Sequence, residues 1–386
     1  MRITLLLLIL VLAACGTAAP PTTESRNPPT LTAPTWVTGD LPITLENVGT
    51  IRYLGRIDPP DVVATWFDVA ISPDSTALAA INVDQLALWD LLTGETLFYT
   101  GRGDAIRVFY APDKTELYSV ESSGRVGIYN ALTGQQINQF NGHTAFAGVA
   151  AYYADAGLLA LGGTDGTIRV WNTLERQAQV TLNAHNSRIS ALTFSVTGQL
   201  ASIDVDGSTR LWNWRQRELV AETEVAGSLR ASFAPDGATI ALGLGTGVSL
   251  WTPGTTPIPL DARGSDVLLF NSDGRYLLAG SRSDGLTLWD APHATLIGTL
   301  PDTAGDGVSA AFSPDGTLLI TATLNRGVYL WNLNAVTDEQ LSQAPLDVGT
   351  RQIYEVRWTD DARLILLFDA VGAIYVWGVP EAVSSP

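Results

Sequence analysis

Catalysis and metal binding need particular side chains brought together, and this sequence offers few of them. There are three histidines, His143, His185 and His293, and no two of them have the spacing of metal ligands. A single cysteine, Cys15, leaves no partner for a disulfide and no thiol for a zinc cluster. Aspartates are abundant, but Asp155, Asp236, Asp273, Asp315, Asp360 and Asp361 recur at turn-like positions, where a carboxylate caps its own backbone. A Ser-His-Asp grouping assembles in space and is not excluded by spacing, yet no Gly-x-Ser-x-Gly elbow is present. The glycines of Gly243-Leu244-Gly245-Thr246-Gly247 suit a hairpin better than a phosphate cradle. No cofactor and no metal is expected, and a binding role is favoured over an enzymatic one.

The chemistry that is legible belongs to Cys15. Residues 1–15 read MRITLLLLILVLAAC: Arg2 is a positive start, and Ile3 to Leu12 form an apolar run. Ten apolar residues at about 1.5 Å rise cover roughly half of a bilayer core, which fits a signal peptide rather than a membrane span. The run closes on Leu12-Ala13-Ala14-Cys15-Gly16, which resembles the lipobox of bacterial lipoproteins. That resemblance implies that Cys15 Sγ receives a diacylglycerol and that residues 1–14 are removed. The chain would then be extracytoplasmic and held on a bacterial cell membrane by acyl chains. Residues 15–42 are rich in Pro, Thr and Ala with no apolar period, and are expected to be a tether reaching at most about 80 Å.

The formal net charge of −17 bears on the partner. Such a surface repels phosphate backbones, so nucleic acid is not expected, and a bare anionic membrane would not attract it either.

Beyond residue 48 the sequence repeats. An aliphatic-aromatic pair returns at Trp89, Tyr129, Trp171, Trp212, Trp251, Trp289, Trp331 and Trp377, with spacings of 40, 42, 41, 39, 38, 42 and 46 residues. Each unit holds an apolar strand, a turn such as Ser313-Pro314-Asp315-Gly316, a second strand, and a tight Gly turn such as Asp165-Gly166 or Asp206-Gly207. The aromatic strand and a fourth strand follow. Four antiparallel strands every ~40 residues make a propeller blade, and eight units predict an all-β, eight-bladed β-propeller over residues 43–380, with a tail at 381–386. Only nine residues follow Trp377, too few for a fourth strand, whereas residues 50–57 form a strand without a blade. That strand is expected to complete the eighth blade and close the ring.

The pattern resembles the WD-repeat family from about residue 49 to residue 379. In the best-matching unit the resemblance implies a hydrogen-bonded tetrad of His185, Ser202, Asp206 and Trp212. The preceding unit keeps His143, Asp165 and Trp171, but Leu161 stands where the hydroxyl belongs. Seven of the eleven tryptophans are blade anchors; Trp66 and Trp358 read as core, and Trp214 as partly exposed.

Propellers usually bind at the mouth of the central channel, at the start of each innermost strand. Those positions are Thr65, Asp104, Phe146, Arg188, Gly227, Gly264, Asp306 and Gln352. Phe146 and Arg188, in adjacent units, are of the types favoured at interface hot spots. The family resemblance implies protein partners, a monomeric ring and a scaffold role. Some outer-membrane assembly lipoproteins are also eight-bladed propellers. The competing expectation is an extracytoplasmic enzyme or small-ligand binder at the channel mouth. Eight-bladed quinone-dependent dehydrogenases share the ring size, but their paired cysteines are missing here.

Overall fold

The computed structural model describes residues 39–380 except 60–64, 83, 102–103, 226, 245–246, 302, 304–307, 324–326, 338–339 and 350. Cys15, residues 1–14, most of the expected tether, Trp36, Asp306 and the 381–386 tail lie outside the described residues.

Short apolar runs separated by turn residues cannot bury themselves alone, so they pair as antiparallel sheets and stack face to face. Eight four-stranded sheets result. Their strands are named a to d in chain order within each blade. Blade 1 is Asp68–Ile71, Ala77–Ile81, Gln85–Asp90 and Thr96–Gly101. Blade 2 is Ala105–Tyr110, Glu116–Glu121, Arg125–Asn130 and Gln136–Asn141. Blade 3 is Ala147–Tyr153, Leu158–Gly163, Thr167–Asn172 and Gln177–Asn183, and blade 4 is Ile189–Phe194, Leu200–Asp204, Ser208–Asn213 and Glu218–Glu224. Blade 5 is Ser228–Phe233, Ile240–Leu244, Val248–Trp251 and Ile258–Leu260; blade 6 is Val267–Phe270, Tyr276–Ser281, Gly285–Asp290 and Thr295–Leu300. Blade 7 is Val308–Phe312, Leu318–Thr323, Gly327–Thr337 and Gln340–Leu346. Blade 8 takes strands a to c from Ile353–Trp358, Leu364–Asp369 and Ile374–Gly378.

The fourth strand of blade 8 is Arg52–Ile57, paired antiparallel with Ile374–Gly378 from Arg52 opposite Gly378 to Ile57 opposite Ile374. The first strand thus closes the ring, as the unpartnered segment predicted. Across the seam, the Trp66 amide donates to the Tyr354 hydroxyl (2.8 Å), and its indole donates to the Gly372 carbonyl (2.8 Å). Leu54, Ile57, Trp66, Leu78, Trp89, Leu366 and Phe368 form one buried cluster that welds blade 8 to blade 1.

Successive a strands lie beside one another round the ring, which makes them the innermost. The a–b and c–d turns share one end, here the turn face: Leu91 N donates to Thr76 O, Ala131 N to Thr115 O, and Thr173 N to Gly157 O. The b–c turns and d–a connections form the other end, the mouth face. Between strands c and d the register shifts just before the aromatic anchor in blades 1, 2, 3, 4 and 6, a bulge that turns the ring into the inter-blade core.

Two expectations are corrected here. Residues up to 42 were expected to be tether, but Asp40 N donates to Val379 O, and Ile43 N to Ala362 O, so the ring begins earlier. Trp214 is 5% exposed rather than partly exposed, because its indole reaches the Gly198 carbonyl (2.9 Å) inside the a–b turn of its own blade.

Candidate functional site

The tetrad unit is built by strands b and c of blade 4 and the d–a connection before it. Ser202 lies on strand b, opposite Arg210, two residues before the anchor Trp212. His185 sits in the connection, where its amide donates to the Gly166 carbonyl of blade 3. The Trp212 indole donates to Ser202 Oγ (2.9 Å), and Ser202 Oγ lies 2.7 Å from His185 Nε2. His185 Nδ1 is 3.1 Å from Asp204 Oδ2.

The aspartate is therefore Asp204, and not the expected Asp206. Asp204 is buried at the end of strand b, whereas Asp206 is exposed in the turn, where its amide donates to Asp204. One carboxylate does two jobs: Oδ1 accepts the Asp206 and Ser208 amides, and Oδ2 reaches the imidazole. Gly207, at φ 92°, provides the left-handed residue that lets the turn fold under this cap.

Burial holds the His185 pKa below its ordinary value despite Asp204, and the amides and hydroxyl around Asp204 hold its carboxyl low. The imidazole is therefore neutral with Nδ1–H facing Asp204, so Ser202 donates to Nε2. Serine, histidine and aspartate thus stand in the order of a hydrolase triad. Ser202 is 0% exposed and already accepts from an indole, so no acyl group can reach it.

The other blades show what the missing residues cost. In blade 7 Thr321 holds the hydroxyl position and accepts from the Trp331 indole (2.9 Å). In blade 6, where Ala279 stands there, the Trp289 indole turns to Thr287 of its own strand (2.9 Å). In blade 3, with Leu161, the Trp171 indole donates to the Gly142 carbonyl (2.8 Å). His143 and Asp165 are 4.0 Å apart and joined through Thr167 Oγ1. Where Ala80, Leu242 and Leu367 occupy the post, the indoles of Trp89, Trp251 and Trp377 have no partner among the described residues.

At the mouth, Asp104, Phe146, Arg188 and Gln352 occupy equivalent places: each carbonyl accepts the amide that opens its own b–c turn, from Ser122, Thr164, Val205 and Ala370. All four are exposed, Phe146 at 61%, while Thr65 is half-buried and Gly264 is buried. Asp104 holds φ 75°, a strained setting for a residue with a side chain. The Arg188 guanidinium makes no ion pair among the described residues. Three apolar residues missed in the sequence join this face: Phe67 at 53%, Val205 at 36% and Val371 at 60% exposed. The signal for two of them was a β-branched residue inside an Asp-Val-Asp-Gly or Ala-Val-Gly hairpin turn.

Deeper along the a strands sits a charged group from blades 8, 1 and 2. Asp68 accepts the Val108 amide (2.9 Å) with Arg107 at 3.9 Å, and Glu355 pairs with Arg357 at 2.5 Å. Burial raises the pKa of both carboxyls although arginines oppose it. Their side chains keep 17% and 26% of their accessible surface, as expected of groups that solvent reaches only along a channel. A separate recess of about 130 Å³ is walled by Tyr53, Tyr375, Trp377, Val348, Asp347 and Arg351, the last stacked 4.6 Å from the Tyr375 ring centroid.

The fold is an eight-bladed β-propeller, and three of its repeats match a family model. The WD domain, G-beta repeat model matches residues 134–172, 176–213 and 294–332, and each segment ends on an anchor pair: Trp171-Asn172, Trp212-Asn213 and Trp331-Asn332. Pre-mRNA-processing factor 19 homolog 2 of Arabidopsis thaliana is 23% identical over 320 residues, which cover 78% of this chain and 59% of that protein. Telomerase protein component 1 of Rattus norvegicus is 27% identical over 61% of this chain and 10% of its own length. The chain therefore spans less than two thirds of either relative. Among solved structures, the computationally designed Ika8 protein superposes with a TM-score of 0.67 at 18% identity, covering 82% of this chain and 96% of that one. Sqt1 of Chaetomium thermophilum, bound to the N-terminus of the ribosomal protein L10, gives 0.64 at 17% identity over 81% and 96%. At such identities the likeness is one of fold.

Proposed function

We propose that the protein is an extracytoplasmic, lipid-anchored propeller that holds a protein partner on its mouth face. The carrying observation is Phe146, 61% exposed on a rigid ring beside the equivalent position of Arg188, with Phe67, Val205 and Val371 open on the same face. Aromatic and arginine anchors surrounded by apolar contacts are what interface hot spots are made of. The Chaetomium fold relative, crystallised with a peptide segment of another protein, is compatible with docking of this kind. Anchoring rests on Cys15 and the run before it. The serine-histidine-aspartate grouping of blade 4 is sealed in the core and serves the fold.

Cross-linking on intact cells followed by affinity purification and mass spectrometry tests the reading. A stoichiometric partner is expected, with recovery lowered at least about tenfold by the Phe146→Ala, Arg188→Ala double substitution. Retention of every partner by that variant would remove the patch from the interface. Recovery of no partner would favour the second reading, a small ligand in the channel, for which Asp68, Arg107, Glu355 and Arg357 are the groups in place.

A further inference from the structure

The way the chain enters the ring orients it. A d strand runs from the turn face toward the mouth face, and Arg52–Ile57 fills the d position of blade 8. The chain must therefore arrive on the turn face. Gly39 lies against the Arg363 carbonyl and Leu364, Leu41 bridges Val379, and Ile43 N donates to Ala362 O in the a–b turn of blade 8.

That face also carries an arc of exposed aliphatic tips. Leu92 (50%), Leu132 (76%) and Leu174 (56%) hold the same position of the c–d turn in blades 1, 2 and 3. Leu41 (44%) in blade 8 and Val196 (58%) in the a–b turn of blade 4 extend the arc on either side. The equivalent c–d positions in blades 4 to 7 are Arg215, Gly254, Pro292 and Asn334, so leucine at this turn position is confined to the side where the chain enters. The tips stand on capped turns, since Asp90 Oδ1 accepts the Leu92 amide (2.7 Å) and Asn130 Oδ1 the Leu132 amide (3.0 Å). Several nearby carboxylates are engaged, Asp74 with Lys114, Glu116 with Arg176 (2.6 Å), and Asp113 with the Thr115 amide, while Glu95 and Asp155 stand exposed. The face is thus apolar without being cationic, which suits zwitterionic rather than anionic headgroups.

We infer that this turn face, through Leu41, Leu92, Leu132 and Leu174, lies against the bilayer that carries the lipid, leaving the mouth pointing away from it. The inference rests on the anchoring of Cys15 proposed above. Twenty-four positions separate Cys15 from Gly39, a reach of at most about 80 Å. A few aliphatic tips bind a membrane only marginally alone, but a short link raises their effective concentration to the order of millimolar.

The test uses the full lipidated chain in phosphatidylcholine vesicles. A polarity-sensitive fluorophore is placed at Leu132→Cys in one protein and at Phe146→Cys in another, Cys15 being blocked by its acyl chain. The expected result is a blue-shifted probe at position 132, quenched several-fold more by nitroxide-labelled lipid than the probe at 146. Equal quenching in protein that floats with the vesicles would overturn the orientation and leave the anchor standing. If the chain does not float, or Cys15→Ser floats equally well, the anchoring reading fails and the orientation falls with it.

Discussion

Ser202 accepts from the Trp212 indole and donates to His185, so removing its oxygen orphans two buried groups at once. Each unsatisfied buried group costs about 1–3 kcal/mol, and Ser202→Ala should lower the unfolding free energy by about that much or more in urea titration. A loss under about 0.5 kcal/mol would mean that water or a neighbour replaces the hydroxyl. The two aspartates of the same turn separate sharply. Asp204→Ala removes an imidazole partner and a cap on two amides, and should cost about 2 kcal/mol or more. Asp206→Ala changes an exposed side chain and should stay within about 0.5 kcal/mol.

At the scale of the element, the strand that matters most is the one that closes the ring. Residues 52–57 place Leu54 and Ile57, 3% and 2% exposed, in the seam cluster with Trp66, Trp89 and Phe368. Burying two such side chains stabilises by about 1.5–3 kcal/mol each, and their loss would also bare the edge of strand c in blade 8. Deletion of residues 49–57 should therefore lower the melting temperature well beyond the few degrees that 1 kcal/mol shifts a chain of this size. A truncated protein melting within a degree or two of the full one would show that the ring holds without its closing strand.

Across the whole molecule, pH acts through the buried histidines. Burial lowers the pKa of both His143 and His185, so the folded ring binds fewer protons there than the unfolded chain. Their contribution is fully present above the unfolded histidine value, near 6.5, and is lost as pH falls through that range. Asp204, Asp165 and Asp315, held low, add a second loss as pH falls below the ordinary carboxylate range. Asp68 and Glu355, held high, work in the opposite sense and favour the fold at acid pH. Calorimetry should show the melting temperature falling from pH 7 to pH 5, and falling less in a His143→Gln, His185→Gln variant compared with itself at pH 7. An equal fall in both would assign the loss to other groups.

What the sequence determined is what one strand and its turn encode. The spacing of the aromatic anchors from Trp89 to Trp377 set eight blades, because each blade is a local unit of hairpins. Counting strands set the closure by residues 52–57, since an edge left open in blade 8 had one unpaired segment to fill it. The turn aspartates were legible for the same local reason: Asp236, Asp273, Asp315 and Asp361 each cap an amide two residues on. Spacing could not choose between Asp204 and Asp206. Both lie in one turn, and only the position of His185, 19 residues earlier, decides which carboxylate faces it. The burial of Trp214, the meeting of Asp68 with the blade 2 amide of Val108, and the leucine arc beside the chain's point of entry depend on which blades become neighbours. Ring closure settles that, through contacts between residues as far apart as Trp66 and Gly372, and no local period in the sequence records it.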